Sequence, residues 1–253
     1  MLPVILGALA LLASPTTAQC DVAILQQTAV DYLTTATTGQ NKLSLADSMT
    51  YTENAKSANT KSGMLSKALK ISHNRTLLDT TQCATYTELI APDNTPPYVI
   101  GTQIRLDTAS GKVNKLESII TTTGDWFFDA KSTLSYSLKE NRDPIPEAKR
   151  DTRAVIKAAA DAYLDLFNNK SVKVPWGNPC ERVEGGHYFG PDCNVGVPSG
   201  VQLVNRRYVC DETVGTCDVM LAFGGASGMP DSHEFRIEGG KIRLVHTITA
   251  GKM

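Results

Sequence analysis

The side chains best placed for chemistry are two histidines, one arginine and a few aromatic residues. His233 lies in Pro230-Asp-Ser-His-Glu-Phe-Arg236 and His246 in Ile242-Arg-Leu-Val-His-Thr247. Both segments alternate apolar and polar residues, which predicts neighbouring strands. Arg207 and Tyr208 fall on a third predicted strand. An imidazole can give a proton to a leaving hydroxyl near neutral pH. A guanidinium can hold an enolate-like oxygen by charge-assisted hydrogen bonds. Together these are the parts of a dehydration, with His233 or His246 as general acid and Arg207 orienting the polar group. A cycloaddition would need no acid or base, only two apolar reactants held in a near-attack geometry, an effect of about 7–11 kcal/mol in favourable cases. Tyr51, Trp126, Phe128, Trp176 and Tyr208 are the candidates for binding an apolar substrate.

Each of these residues also has a plainer reading. A histidine on a strand is commonly a satisfied structural residue. Trp126, Phe127 and Phe128 end a strand and serve equally as core or inter-unit packing, and Trp176 after Pro175 is divided the same way. Glu234 and Arg236 share a strand face and read as a structural ion pair. Glu53 and Glu184 are either a carboxylate pair or a by-product of an internal repeat.

No local catalytic signature accompanies them: G-x-S-x-G, a Gly-rich phosphate loop and H-E-x-x-H are all missing from the sequence. The Gly-Gly pairs at 185–186, 224–225 and 239–240 read as turns. No nucleotide, metal or other cofactor is expected. Lys+Arg 25 against Asp+Glu 26 leaves a net charge of −1, which offers no footprint for nucleic acid or an anionic membrane. With 42% hydrophobic residues the chain can bury a core.

Residues 1–18 read as a secretory signal peptide, an apolar run followed by small residues. The run is too short to span a bilayer, and secretion or the secretory-pathway lumen is expected. Six cysteines remain, Cys20, Cys83, Cys180, Cys193, Cys210 and Cys217, and an even number in a secreted chain suggests disulfides. Cys210 and Cys217 flank a strand-turn-strand pattern, Cys180 and Cys193 bracket a Gly-rich loop, and Cys20 and Cys83 are left as partners. No cysteine pair has C-x-x-C spacing, so zinc is not expected. Sequons at Asn74 and Asn169 predict glycans on exposed turns.

The elements that must position these residues come as an internal repeat. Ala29-Val-Asp-Tyr-Leu33 answers Asp161-Ala-Tyr-Leu-Asp165, and Gln103-Ile-Arg-Leu106 answers Glu234-Phe-Arg-Ile237. Leu164 minus Leu33 and Phe235 minus Ile104 both give 131. Each unit reads as a helix, a short strand and a run of antiparallel strands with tight turns. That is an α+β class with helices packed on a curved antiparallel sheet. The boundaries are a first unit at 19–138, a charged, Pro-containing linker at 139–149 with a solvated charge run, and a second unit at 150–253, opened by a helix over 147–168.

This order resembles the nuclear-transport-factor-2-like (SnoaL-like) cone. More specifically, the chain resembles a family of secreted fungal proteins made of two such units. The resemblance is carried by Tyr51-Thr-Glu-Asn54, Gly124-Asp-Trp-Phe-Phe128, Pro175-Trp-Gly-Asn-Pro-Cys180, Gly196-Val-Pro-Ser-Gly200, Asn205-Arg-Arg-Tyr208 and Pro230 to Arg236. It implies two fused units forming a pseudo-dimer. One characterised group of similar size and organisation is the cofactor-free hetero-Diels–Alderases of tropolonic sesquiterpene biosynthesis. That likeness implies joining of a tropolone o-quinone methide to a humulene-type terpene, with polyketide and terpene small molecules as partners and a homodimer left open. A dehydratase, isomerase or cyclase of the same fold is the alternative enzyme. A secreted binding protein without catalysis is the alternative from another class. The second unit, richer in His, Arg and Tyr on its strands, is the expected home of the site.

Overall fold

The computed structural model describes residues 20–252. The expected signal peptide lies outside them. The first unit comprises α1 (Val22–Thr38), β1 (Leu45–Glu53), β2 (Lys56–Ser57), β3 (His73–Asp79), β4 (Ala84–Ala91), β5 (Tyr98–Leu106), β6 (Val113–Thr122) and α2 (Ala130–Ser137). The second comprises α3 (Arg153–Leu166), β7 (Trp176–Glu184), β8 (His187–Tyr188), β9 (Leu203–Asp211), β10 (Thr216–Phe223), β11 (Met229–Glu238) and β12 (Lys241–Thr249). The two six-stranded sheets run β2-β1-β6-β5-β4-β3 and β8-β7-β12-β11-β10-β9. One strand order used twice is the duplication that the constant offset predicts. The sheets are mixed rather than purely antiparallel. β1 pairs parallel with β6, and β7 parallel with β12, because the first strand of each unit returns to lie beside the last.

Local chemistry sets the helix limits. Thr152 is extended and its side chain accepts from the Val155 amide, so α3 starts at Arg153 rather than at 147. Ile156, Ala159, Ala160, Tyr163 and Leu164 recur at helical spacing and are all buried against the sheet. Asp21 caps α1 in the same way. The β11–β12 turn uses Gly239 and Gly240, both with positive φ, as a two-residue hairpin demands.

Helix packs on the inner face of each sheet, and the outer faces of the two sheets meet. Leu77, Tyr86 and Ile119 of the first unit share a core there with Val209, Met220 and Ile248 of the second. The contacts are reciprocal, as a twofold interface requires. Asp79 accepts from the Cys210 amide at 2.8 Å, and its counterpart Asp211 accepts from the Leu78 amide at 3.0 Å.

The three disulfides pair Cys20–Cys83, Cys180–Cys193 and Cys210–Cys217, as the local contexts predict. They fit an oxidising, secretory compartment. No helix among the described residues is long and apolar enough to cross a membrane.

Three expectations need correction. The run from Lys139 is not simply solvated, since the Glu140 side chain is 5% exposed and Arg142 joins it in an ionic network. Glu234 and Arg236 are not each other's partners. Glu234 meets Arg75 at 3.0 Å and also Arg142, while Arg236 meets Glu238 at 2.7 Å. Asn74 sits on strand β3 rather than on a turn, although it is exposed. Asn169 does lie exposed in a turn after α3.

Candidate functional site

Strand alternation decides which side chains reach the inside of the second cone. On β11, Asp231, His233 and Phe235 face α3, while Ser232 and Glu234 on the opposite face reach Tyr86 and Arg75 of the other unit. The inner face is not filled. A cavity of about 330 Å³ opens between the sheet and the chain that closes over it, walled mainly by Trp126, Phe127, Phe167, Phe189 and Phe223. The polar groups in it are few: Glu184, His233, Thr247 and Thr249.

His233 is buried, and its Nδ1 lies 3.0 Å from Asp231 Oδ2. Asp231 is fully buried, and its other oxygen accepts from the Thr249 hydroxyl at 3.1 Å. The two atoms are in ion-pair contact outside hydrogen-bond geometry, so the carboxylate acts on the imidazole through its charge, and Nε2 is left as the ring nitrogen for a ligand. Across the site, burial pushes the Glu184 carboxyl up, opposed by the Arg182 guanidinium 3.4 Å away and by His233. Glu184 therefore holds its proton to a higher pH than an ordinary glutamate. Arg182 is 1% exposed. It donates to the carbonyls of Cys193 (2.9 Å) and Val195, and it stacks on Phe189 at 4.3 Å. It thus ties the loop closed by Cys180–Cys193 to β7 and brings Phe189 to the cavity wall.

The equivalent positions of the first unit differ. Register places Ile100 where the second unit has Asp231, Thr102 for His233, and Ile120 for Thr249. Glu53, the counterpart of Glu184, is taken by the Tyr51 hydroxyl and the Met64 amide. Met64 and Leu65 fill that cone as core residues. A His–Asp pair facing a cavity occurs in the second unit alone among the described residues.

Of the residues singled out from sequence, the structure brings His233, Glu184, Trp126 and Phe127 to this cavity. His246 lies on the opposite face of β12, with Nε2 at 3.0 Å from Glu88 and Nδ1 at 3.2 Å from Glu140. Those carboxylates, working against burial and Arg75, raise its pKa to about 9. Arg207 pairs across the units with Glu117 at 2.9 Å. The Tyr208 hydroxyl donates to Asp161 at 2.6 Å. Trp176 packs edge-on against Tyr163 outside the cavity. Tyr51 belongs to the first unit's core, and Phe128 packs between the sheets. Asp231 and Glu184 form the polar site with His233, and Phe127, Phe167, Phe189 and Phe223 form the wall. Asp231 had a readable signal: it stands two residues before His233, so strand geometry puts both on one face. Among the described residues, no three His, Cys, Asp or Glu side chains converge as metal ligands would.

Fold and site define a tandem α+β cone protein with a buried His–Asp pair at a cavity in one of its two cones. Residues 149–249 match a family model described as "Domain of unknown function (DUF8021)". That span runs from just before α3 to the end of β12. No curated protein matches the chain. Among solved structures, a chain from Kribbella flavida DSM 17836 described as a candidate ketosteroid isomerase is similar at 16% identity and a TM-score of 0.32. The match covers 41% of this chain and 83% of that one. That likeness is too slight to carry fold or activity across.

Proposed function

We propose that the protein is a secreted, cofactor-independent enzyme of the isomerase, dehydratase and cyclase type, acting on a compact apolar small molecule in the second cone. The observation that supports this is the Asp231–His233 pair facing an aromatic cavity that also holds a carboxyl of raised pKa. Both nitrogens of His246 lie beside carboxylates, whereas His233 has a carboxylate beside Nδ1 alone. In the proposed reaction His233 Nε2 removes a proton from carbon or hydroxyl. Glu184 gives its proton to the departing oxygen. The C–O electron pair leaves with it as water, and the new double bond takes up the electrons of the broken C–H or O–H bond. For an isomerisation the same two groups move a proton between two carbons. Positioned proton transfer of this kind contributes about 10²–10⁴-fold.

The finer reading is a hetero-Diels–Alderase. Dehydration of a hydroxymethyl tropolone at this site would yield the o-quinone methide, and the aromatic wall suits a humulene-type alkene. A cavity of about 330 Å³ is at the small end for ligand pockets, which favours the dehydration over holding both reactants at once. One experiment separates the readings. Purified protein is incubated with a hydroxymethyl tropolone, alone and with humulenol, beside the His233→Gln variant. Faster tropolone dehydration that depends on His233 supports the acid–base enzyme, and stereoselective adduct supports the Diels–Alderase as well. Adduct at the background rate with no stereochemical preference removes the finer reading. Equal rates for both proteins across a panel of hydroxylated cyclic substrates remove the coarser one.

A further inference from the structure

The second unit does not close its own cavity. Two of the wall residues, Trp126 and Phe127, come from residues 123–129 of the first unit, a strap between β6 and α2. The strap is fastened to the second unit at both ends. Asp125 accepts from the Gly251 amide at 2.9 Å. The Asp129 amide donates to the Gly185 carbonyl at 2.6 Å, and the Ser132 hydroxyl donates to Gly186 at 2.6 Å. Gly185 has φ +57, and a Cβ there would run into the Trp126 carbonyl. The β7–β8 turn is thus shaped to receive the strap.

Phe127 itself is the informative residue. Its φ is +48, a left-handed conformation that strains a bulky L-residue and suits glycine. An aromatic side chain is kept there despite that strain. Its ring stacks on His187 at 5.1 Å and meets Trp126 and Phe189 edge-on at 5.6 and 5.8 Å. Trp126 in turn leans on Phe223 at 5.9 Å. The strained backbone aims a ring at the cavity.

We propose that this strap, through Phe127 and Trp126, selects which substrates the second unit accepts, so the first unit is a specificity module for a site it does not contain. The inference rests on the cavity being a substrate site. The selected ligands are largely apolar molecules that fill the cavity and touch both rings. Smaller ones reach only the polar end near His233.

The sequence has two tryptophans, so a Trp176→Phe background makes Trp126 the sole indole, and its fluorescence reports binding without any need for turnover. Cyclohexanol, geraniol and humulenol are titrated into this protein and into the same protein carrying Phe127→Gly, which relieves the backbone. Phe127→Leu serves if the glycine variant does not fold, and Phe128→Leu, off the cavity, is the control. The expected result is that Phe127→Gly weakens humulenol by about tenfold, the scale of one lost aromatic contact, leaves cyclohexanol within about twofold, and that the control changes neither. Binding of all three with an unchanged size ranking in the Phe127 variants overturns the strap's role while leaving the cavity as a site. No fluorescence response to any ligand in the folded parent overturns both.

Discussion

Replacing His246 by glutamine should destabilise the protein most near pH 6 and progressively less towards pH 10. Five ionisable groups meet beneath this histidine at the unit boundary: Arg75 from β3, Glu88 from β4, Glu140 and Arg142 from the segment after α2, and Glu234 from β11. Three carboxylates face two guanidiniums, so the group is neutral only when His246 carries a proton. Its neighbours raise it from 6.5 to about 9 and hold Glu88 down to about 2. A histidine raised that far stabilises the folded chain by about 3 kcal/mol. The sign follows from the raised value. The contribution is fully present below pH 6.5, the unfolded value, and is lost as pH rises through about 9. His246→Gln leaves the excess carboxylate charge buried, and breaking such a group costs about 3–5 kcal/mol. Denaturant unfolding at several pH values from 6 to 10, with disulfides intact, gives the difference between the two proteins. It should be about 3 kcal/mol or more near pH 6 and should shrink towards pH 10. A difference that stays constant across that range would refute the reasoning, as would a His246 ring titrating near 6.5 by NMR.

At the site, Asp231→Asn should fold normally and lower turnover by about 10²–10⁴-fold, because a neutral amide no longer stabilises the imidazolium that forms when His233 takes the proton; equal turnover would remove Asp231 from the mechanism. Turnover should fall as pH rises through the raised Glu184 value, and Glu184→Gln should abolish that alkaline limb of the rate profile. Gly185→Ala should cost about 1–3 kcal/mol in unfolding free energy, since a Cβ at positive φ meets the strap. Removing the Cys20–Cys83 link, which closes a sequence separation of 63, by Cys20→Ser with Cys83→Ser should cost about 2–5 kcal/mol in the same assay.

The repeat, the helix-on-sheet order and the disulfide pairing were all readable from spacing. The two histidines show why the site was only half readable. A two-residue turn at Gly239–Gly240 pairs Ile237 with Ile242, and simple counting from there sets His233 opposite His246, both on one face. The register shifts by one between Arg236 and Ile237, so His233 pairs with Thr247 and His246 with Glu234. One extra residue turns everything beyond it to the other side of the sheet. No residue type in Lys241-Ile-Arg-Leu244 announces that bulge. Arg207 follows the same logic: its strand was readable, but the face it shows depends on pairing with β10. The wall residues Phe167, Phe189 and Phe223 belong to three separate elements, and only tertiary packing gathers them.

The reciprocal bonds of Asp79 and Asp211 show that the boundary keeps the form of a twofold contact, yet its two halves no longer match. Where one half places Glu88, Glu234 and His246, the other places Met220, Gln103 and Glu117. In an assembly of identical chains every substitution is made twice, and a change that helps one end must be tolerated at the other. Joining the copies in one chain lifts that constraint. It also replaces association by a permanently high effective concentration. One half can then fill its cone and lend its strap, while the other keeps its cone open.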